Sequence, residues 1–154
     1  MKKLLIIALV LLCTMSAVSA QGGTIGTEET KKASLTVGLL QGGGSLVGAD
    51  FEALISDRVG LQIGAGFSGY GAGLNYHLKP GINSSFLSLS YWNQGIGDSF
   101  TQRLIGPTFV YRARKIFTAQ IGLGFVLERG PAYPSHLGEP PVILMYSIGA
   151  YFPL

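Results

Sequence analysis

The chain has 154 residues, of which 47% are hydrophobic and 12% are charged, and its formal net charge is +3. Soluble domains carry roughly 25% charged residues, so this composition argues against a soluble domain that is covered with lysine and glutamate. Without Lys2 and Lys3, nine of the 11 basic residues remain against eight acidic residues, which gives no reason to propose a nucleic-acid partner.

The N-terminus has the pattern of a secretory signal peptide. Two lysines precede an apolar run, and residues 18–20, Val-Ser-Ala, form a small-residue cleavage site. The run is shorter than the roughly 20 residues that a helix needs to cross a bilayer. Leu12 is too large for the position before a lipidated cysteine, so we interpret Cys13 as part of the removed peptide. We predict a signal peptide in residues 1–20, a flexible lead-in in 21–33 and one domain, without a disulfide, in 34–154.

Apolar side chains alternate with small or polar ones throughout residues 34–154, and a period of two is the spacing of a β-strand. The pattern predicts strands at 34–40, 46–55, 59–67, 72–79, 85–92, 103–112, 116–128 and 142–154. Short turns join most of these segments, so an antiparallel meander is expected. Pro107 interrupts the sixth segment and cannot donate to a ladder, which predicts either a bulge or a later start of regular pairing.

The C-terminal segment carries a recognisable pattern in Ser147, Gly149, Phe152 and Leu154. It resembles the C-terminal signature of outer-membrane β-barrels, from which it departs at Pro153. Over its whole length after the signal peptide, the chain resembles the small eight-stranded outer-membrane barrels of Gram-negative bacteria. The resemblance implies that the barrel-assembly machinery reads this segment and inserts the chain from the periplasm. The expected partners are then outer-membrane lipid and lipopolysaccharide, around a monomer.

The second face of the alternation favours a membrane barrel over a soluble one. It carries mostly Gly, Ser, Thr, Gln and Asn, which fit the narrow interior of an eight-stranded barrel. The apolar faces are expected to carry no charge, which would cost about 2–4 kcal/mol for Lys or Arg at the bilayer midplane. We therefore predict an all-β, eight-stranded, antiparallel up-and-down transmembrane barrel. Short second, fourth and sixth connections and long fifth and seventh ones predict a periplasmic N-terminus.

Several ionisable or polar side chains are predicted on the inward face of this barrel. They are Asp50, Glu52, Gln62, Asn75, His77, Lys79, Arg112 and Glu128. Charges that are removed from water must be paired, so we expect an interior polar network, with Glu52, His77, Lys79 and Arg112 near its periplasmic end. Filling the barrel is the simplest role for such a network. A gated proton or ion path is the alternative.

A second set of candidates is predicted at the external rim: Asp98, Ser99, Glu128, Ser135, His136 and Glu139. Some small outer-membrane barrels modify the acyl chains of lipid A with Ser, His and an acidic residue. Neighbours in sequence such as Ser135 and His136 rarely aim their side chains at each other, and no His-x-Ser pattern lies on a predicted strand. We therefore expect no enzyme. The two histidines and the absence of cysteine after the signal peptide predict no metal site, and no cofactor is expected.

The predicted function is a non-enzymatic protein of the cell envelope, with a structural or surface-interaction role and a side-chain-filled interior. Three alternatives remain open at this stage. They are a narrow ion or small-solute channel, a lipid A acyl-modifying enzyme, and a secreted soluble β-barrel that binds a small apolar ligand.

Overall fold

The structure, a computed structural model, describes residues 31–97, 99–133 and 140–154. Its strands are β1 (Ala33–Leu39), β2 (Val47–Leu54), β3 (Val59–Gly66), β4 (Gly69–His77), β5 (Phe86–Gln94), β6 (Gln102–Arg112), β7 (Phe117–Arg129) and β8 (Val142–Pro153). Each strand pairs antiparallel with the next, and β1 pairs with β8. The predicted closed, eight-stranded, all-β barrel is confirmed. The predicted signal peptide and nearly all of the lead-in lie outside the described residues, among which no helix is long and apolar enough to span a bilayer.

The alternation of the sequence becomes two opposite surfaces of the closed sheet. Ile63, Leu74 and Ile121 point away from the lumen and are 65%, 50% and 56% exposed. Asn75 lies one residue from Leu74 on the same strand and is completely buried inside. Successive side chains of a strand point to opposite faces, so the same alternation of residues produces both the apolar outside and the polar inside. The predicted orientation of the apolar face is confirmed.

Pro107 produces neither of the two irregularities that the sequence predicts for it. It faces outward and pairs with Leu89 of β5, and the register of β6 against β7 is the same on both sides of it. The β6–β7 ladder forms no pair at Pro107, so its missing N–H interrupts only that ladder locally. The bulge between these strands lies instead near the loop end, between Arg103 and Leu104.

This bulge corrects two predictions about charge. Leu127 has no partner on β6, so Leu127 and Glu128 both face outward where strict alternation would turn one of them inward. Glu128 forms an ion pair with Arg103, and their side chains are 61% and 46% exposed. Glu128 is therefore not part of the lumen. The outer face also carries one ion pair at the loop end, where the sequence predicted no charge.

The β1–β2 connection folds back into the barrel rather than projecting from it. It contains a four-residue helical turn, Gln41–Gly44, here called the glycine turn, whose three glycines have φ of 66°, 79° and 79°. Gln41, Gly42 and Gly43 are buried. A Cβ atom on Gly43 would lie 2.0 Å from the carbonyl oxygen of Tyr70, so only glycine fits where the turn touches the inner wall. The sequence predicted a turn here but not its position in the lumen.

The lumen has layers of different chemistry between its two ends. Near the loop end, Trp92, Leu104 and Met145 form an apolar cluster, and Trp92 lies beside Gly44 of the glycine turn. At the opposite end, Ile82 of the β4–β5 connection is 1% exposed and closes the barrel. This connection, residues 78–85, is longer than the β5–β6 connection, residues 95–101. The predicted order of loop lengths is therefore wrong at this point, because the β4–β5 connection supplies the side chain that caps the barrel.

Candidate functional site

Glu52 is the centre of the charged group inside the barrel. Its side chain comes from β2 and is 2% exposed. His77 Nε2 lies 2.9 Å from Glu52 Oε1, and Asn75 Nδ2 donates to the same oxygen over 2.5 Å. Arg112 Nη2 lies 2.7 Å from Glu52 Oε2. Because an ionised carboxylate only accepts hydrogen bonds, Nε2 of His77 is the protonated ring nitrogen in this arrangement.

Arg112 ties this group to the barrel end that Ile82 closes. Its guanidinium donates to Ser34 Oγ over 2.9 Å and to the carbonyl oxygen of Ile82. It also lies 4.9 Å from the ring centre of Phe86 and 4.8 Å from that of Tyr151, which are cation–π contacts. A planar guanidinium suits this position, since its donors diverge in one plane while its faces remain free for aromatic rings.

Asp50 connects the charged group to the glycine turn. The backbone N–H of Gly42 donates to Asp50 Oδ2 over 3.0 Å, and Asp50 is 6% exposed. Gln62 lies near Asp50 and accepts a hydrogen bond from Asn75 over 3.0 Å. Asp50, two residues before Glu52 on the same face of β2, therefore holds the turn within the lumen.

Six of the eight side chains predicted for the interior lie inside the barrel: Asp50, Glu52, Gln62, Asn75, His77 and Arg112. Glu128 lies outside for the reason given above, and Lys79 is exposed. β4 ends at His77, and the backbone N–H of Lys79 bonds to Ser84 Oγ over 2.8 Å within the next turn. The alternation that the sequence extended to residue 79 stops two residues earlier, so Lys79 has no inward position.

A second interior group consists of hydroxyl and amide side chains, whose bonding the sequence analysis did not identify. Ser90 Oγ donates to Ser88 Oγ over 3.0 Å and lies 3.1 Å from Thr108 Oγ1. Gln120 donates to Thr108 over 2.8 Å and accepts from Ser147 over 3.2 Å. These residues lie at inward-facing positions of the alternation on four strands. The alternation alone could therefore have identified them as interior residues.

The described interior has no continuous passage. The glycine turn occupies one end and Ile82 the other, and the cavity between them has a volume of about 10 Å³. A single water needs roughly 10–15 Å³ of this kind of volume. The cavity borders Asp50, Glu52 and Arg112. The arrangement can hold charges in place and pair them, and it leaves no room for a solute.

The residues of the C-terminal signature have structural roles in the barrel. Ser147 is buried and joins the hydroxyl and amide group, whereas Phe152 and Leu154 face outward and are 44% and 60% exposed. Gly149 pairs with Gly38 where β8 meets β1, and a Cβ atom on Gly149 would lie 2.5 Å from the carbonyl oxygen of Val37. The close approach of the two strands explains glycine at this position. A role of the four residues in assembly stays a prediction.

Two of the six rim candidates, Ser99 and Glu128, lie among the described residues. Asp98, Ser135, His136 and Glu139 lie outside the described residues. The backbone carbonyl of Ser99 accepts a hydrogen bond from the N–H of Ala132 over 3.0 Å, and Glu128 pairs with Arg103. Among the described residues, no group of three or more His, Cys, Asp or Glu side chains could hold a metal ion.

Asn75→Leu is expected to lower the free energy of unfolding by about 1.5–3 kcal/mol, because it removes the donor that Asn75 supplies to a buried carboxylate. Urea unfolding of the refolded protein measures this change. Asn93→Leu is the matched control, since Asn93 donates to the exposed hydroxyl of Tyr70 on the outer face. A change within about 0.5 kcal/mol is expected there. Equal effects of the two substitutions would contradict the importance of the Glu52 group.

Comparison of the chain with protein-family models, curated proteins and solved structures finds no match. The resemblance to small outer-membrane barrels therefore stands on residue patterning, with no detectable sequence relative beside it. The structure therefore provides a closed barrel with charged and polar side chains inside and an apolar exterior as the basis for a functional inference.

Proposed function

We propose that this chain is an integral barrel of a bacterial outer membrane with a filled interior and a structural or surface-interacting role in the cell envelope. The observation that carries the proposal is the exposure of apolar side chains. Among the described residues, 29 large hydrophobic side chains are at least 37% exposed, whereas seven are buried. Single exposed hydrophobic residues are normal in water, but a continuous apolar belt of this size marks a lipid or protein contact.

The lengths of five of the eight strands match those of strands that cross a bilayer. Strands that cross a bilayer at a tilt need about 9–11 residues, and β4 to β8 have between 9 and 13. β1 to β3 are shorter, with 7 or 8 residues. Exposed apolar residues just beyond strand ends, such as Leu46, Ile55 and Phe67, lengthen the belt there.

Closure of the sheet also supports a membrane location. Lipid offers no hydrogen bonds to a backbone, so a sheet within it must pair its edges, as β1 does with the second half of β8, Ile148 to Pro153. Tyr111 and Phe117 are 49% and 44% exposed and flank the β6–β7 turn, where an aromatic girdle would meet one membrane surface. In the proposed orientation this surface is periplasmic, together with both described chain ends.

The alternatives have less support. A soluble barrel that carries an apolar ligand would place apolar side chains around a cavity, whereas this lumen is mostly polar and holds about 10 Å³ of space in its middle. A narrow channel needs a through-path, and the described interior narrows to about 10 Å³ between the glycine turn and Ile82. A lipid A acyl-modifying enzyme needs a nucleophile beside a base, and no such pair lies among the described rim residues.

An arginine placed at two depths on the outer face tests the proposal. Leu89→Arg, at the middle of β5, is expected to cost about 2–4 kcal/mol of unfolding free energy in liposomes, because it puts a charge at the bilayer midplane. Leu127→Arg, near the loop end of β7, is expected to cost about 0–1 kcal/mol. Urea unfolding in liposomes gives both values.

The same samples provide the outcome that would contradict a membrane location. A lipid-embedded barrel is expected to float with liposomes and to change its gel mobility on heating, because the closed sheet unfolds only then. A barrel that remains monomeric in water without detergent, and that tolerates arginine equally at residues 89 and 127, would overturn the proposal.

A further inference from the structure

The seam between β1 and β8 is incomplete at the loop end. β1 pairs with β8 only from Ile148 to Pro153, whereas β8 begins at Val142. Residues 142–147 pair with β7 on one edge. No described residue pairs with their other edge. An unpaired strand edge is tolerated at membrane depth only where it is covered or lines a cavity.

A groove of about 370 Å³ lies at this gap. We call it the lateral groove; Leu46, Trp92, Gln94, Leu144 and Tyr146 are among the residues that line it, together with residues of the loop-end connections such as Ile96. Its volume lies within the range of small-molecule sites, about 300–1,000 Å³. Leu46, Leu144 and Tyr146 are 59%, 54% and 54% exposed on the outer face, whereas Trp92 is 7% exposed inside the barrel. The groove therefore leads from the lipid-facing surface through the wall to the lumen.

The inner end of the lateral groove offers a hydrogen-bond acceptor. Gln94 donates through Nε2 to Gln102 Oε1 over 3.2 Å, and no described residue donates to its own Oε1. Gly44 borders this end, and a Cβ atom there would overlap that same oxygen, so only glycine fits beside it. None of the described residues that line the groove is charged. Among them a carboxylate or phosphate would find no cation, while a hydroxyl group would find an acceptor.

From this geometry we infer that the lateral groove binds an uncharged, single-chain amphiphile taken from the surrounding bilayer. Its hydroxyl end donates to Gln94 Oε1 beside Trp92, and its alkyl chain lies between Leu46 and Leu144 and covers the unpaired edge of β8. The inference rests on the proposed membrane location for its route of entry, but the chemistry of the groove does not depend on it.

Trp92 is the only tryptophan of the chain, so its fluorescence reports on the groove directly. The probe is 2-bromohexadecan-1-ol, whose bromine lies next to the hydroxyl end, added to the refolded full-length protein in detergent micelles. Saturable quenching is expected, and unbrominated hexadecan-1-ol should reverse it. The carboxylate 2-bromohexadecanoate, with the same chain and bromine position, is expected to quench at least tenfold more weakly because the described lining residues offer no cation.

Variants separate binding from collision with probe in the micelle. The double substitution Leu46→Phe/Leu144→Phe narrows the groove and is expected to abolish saturable quenching. Leu74→Phe/Leu87→Phe makes the same change at equally exposed positions elsewhere on the outer face and should leave quenching intact. Gln94→Leu removes the acceptor and should reduce the preference for alcohol over carboxylate. Gel mobility before and after heating reports whether each variant is folded.

Quenching that never saturates, or that is equal in both double variants, would overturn the assignment. A stable dimer that Leu46→Phe/Leu144→Phe dissociates would also overturn it, since the groove would then belong to a second copy of the chain. Saturable binding by a barrel that does not float with liposomes would retain the site and refute the membrane location. The two proposals therefore fail by different measurements.

Discussion

Arg112→Met is expected to lower the free energy of unfolding by about 3–5 kcal/mol, because it leaves Glu52 as a buried charge without its strongest partner. Methionine keeps most of the volume between Phe86 and Tyr151, so the loss reflects charge more than packing. The double variant Glu52→Gln/Arg112→Met is expected to recover much of the stability, since both charges are then absent. Urea unfolding of the parent, the single variants Arg112→Met and Glu52→Gln, and the double variant in liposomes completes a double-mutant cycle.

Arg103→Met is the matched control for this prediction. It removes an arginine from the other arginine–glutamate pair, whose side chains are 46% and 61% exposed at the loop end of the outer face. Exposed pairs contribute about 0–1 kcal/mol, so a small effect is expected. If Arg112→Met lowered the free energy of unfolding no more than Arg103→Met, the buried Glu52 group would not stabilise the barrel more than an exposed ion pair does.

Gly43→Val is expected both to destabilise the barrel and to open it. A valine at φ of 79° costs about 1–3 kcal/mol of backbone strain, and its Cβ atom would overlap the carbonyl oxygen of Tyr70. The glycine turn can relieve both only by leaving the lumen. Asp50 would then lose the N–H of Gly42, at a further cost of about 1–3 kcal/mol. Planar-bilayer recordings should show conductance in this variant and none in the parent protein.

Gly97→Val separates strain from obstruction. Gly97 also has a positive φ, 65°, but no atom lies within 4 Å of the position that a Cβ would occupy. The backbone cost should therefore appear in its unfolding free energy, while its conductance should equal that of the parent. Conductance in both variants, or in neither, would show that the glycine turn does not close the barrel.

The strands could be predicted from the sequence because apolar and polar residues alternate along a strand that has one apolar face. The third segment, predicted at 59–67, is Val59–Gly66 in the structure. The start of β4 was placed three residues late, since Gly69 and Gly71 carry no side chains that show a preference for either face. Patterning was sufficient for the sheet and for six of the interior side chains.

The remaining features depend on interactions that the two-residue alternation of the sequence does not reveal. A bulge reverses parity without changing composition, so Glu128 was assigned to the lumen. The inward fold of the glycine turn depends on how closely backbone atoms approach the wall, and the sequence showed only a turn-forming run, Gln41–Gly44. The orphaned part of β8 depends on the difference in length between β1 and β8, which becomes visible only once their register is known.

Closure of the ring by β1 and β8 has a consequence for biogenesis. The pair of Leu35 with Phe152 joins strands from opposite ends of the polypeptide, and such distant contacts form late and slowly. From the time β1 is synthesised until β8 is in place, one edge of β1 is unpaired, and a strand of another chain could pair with it. A nascent or truncated chain is thus a template for aggregation, and the cell must keep it apart from its own copies until the circle is complete.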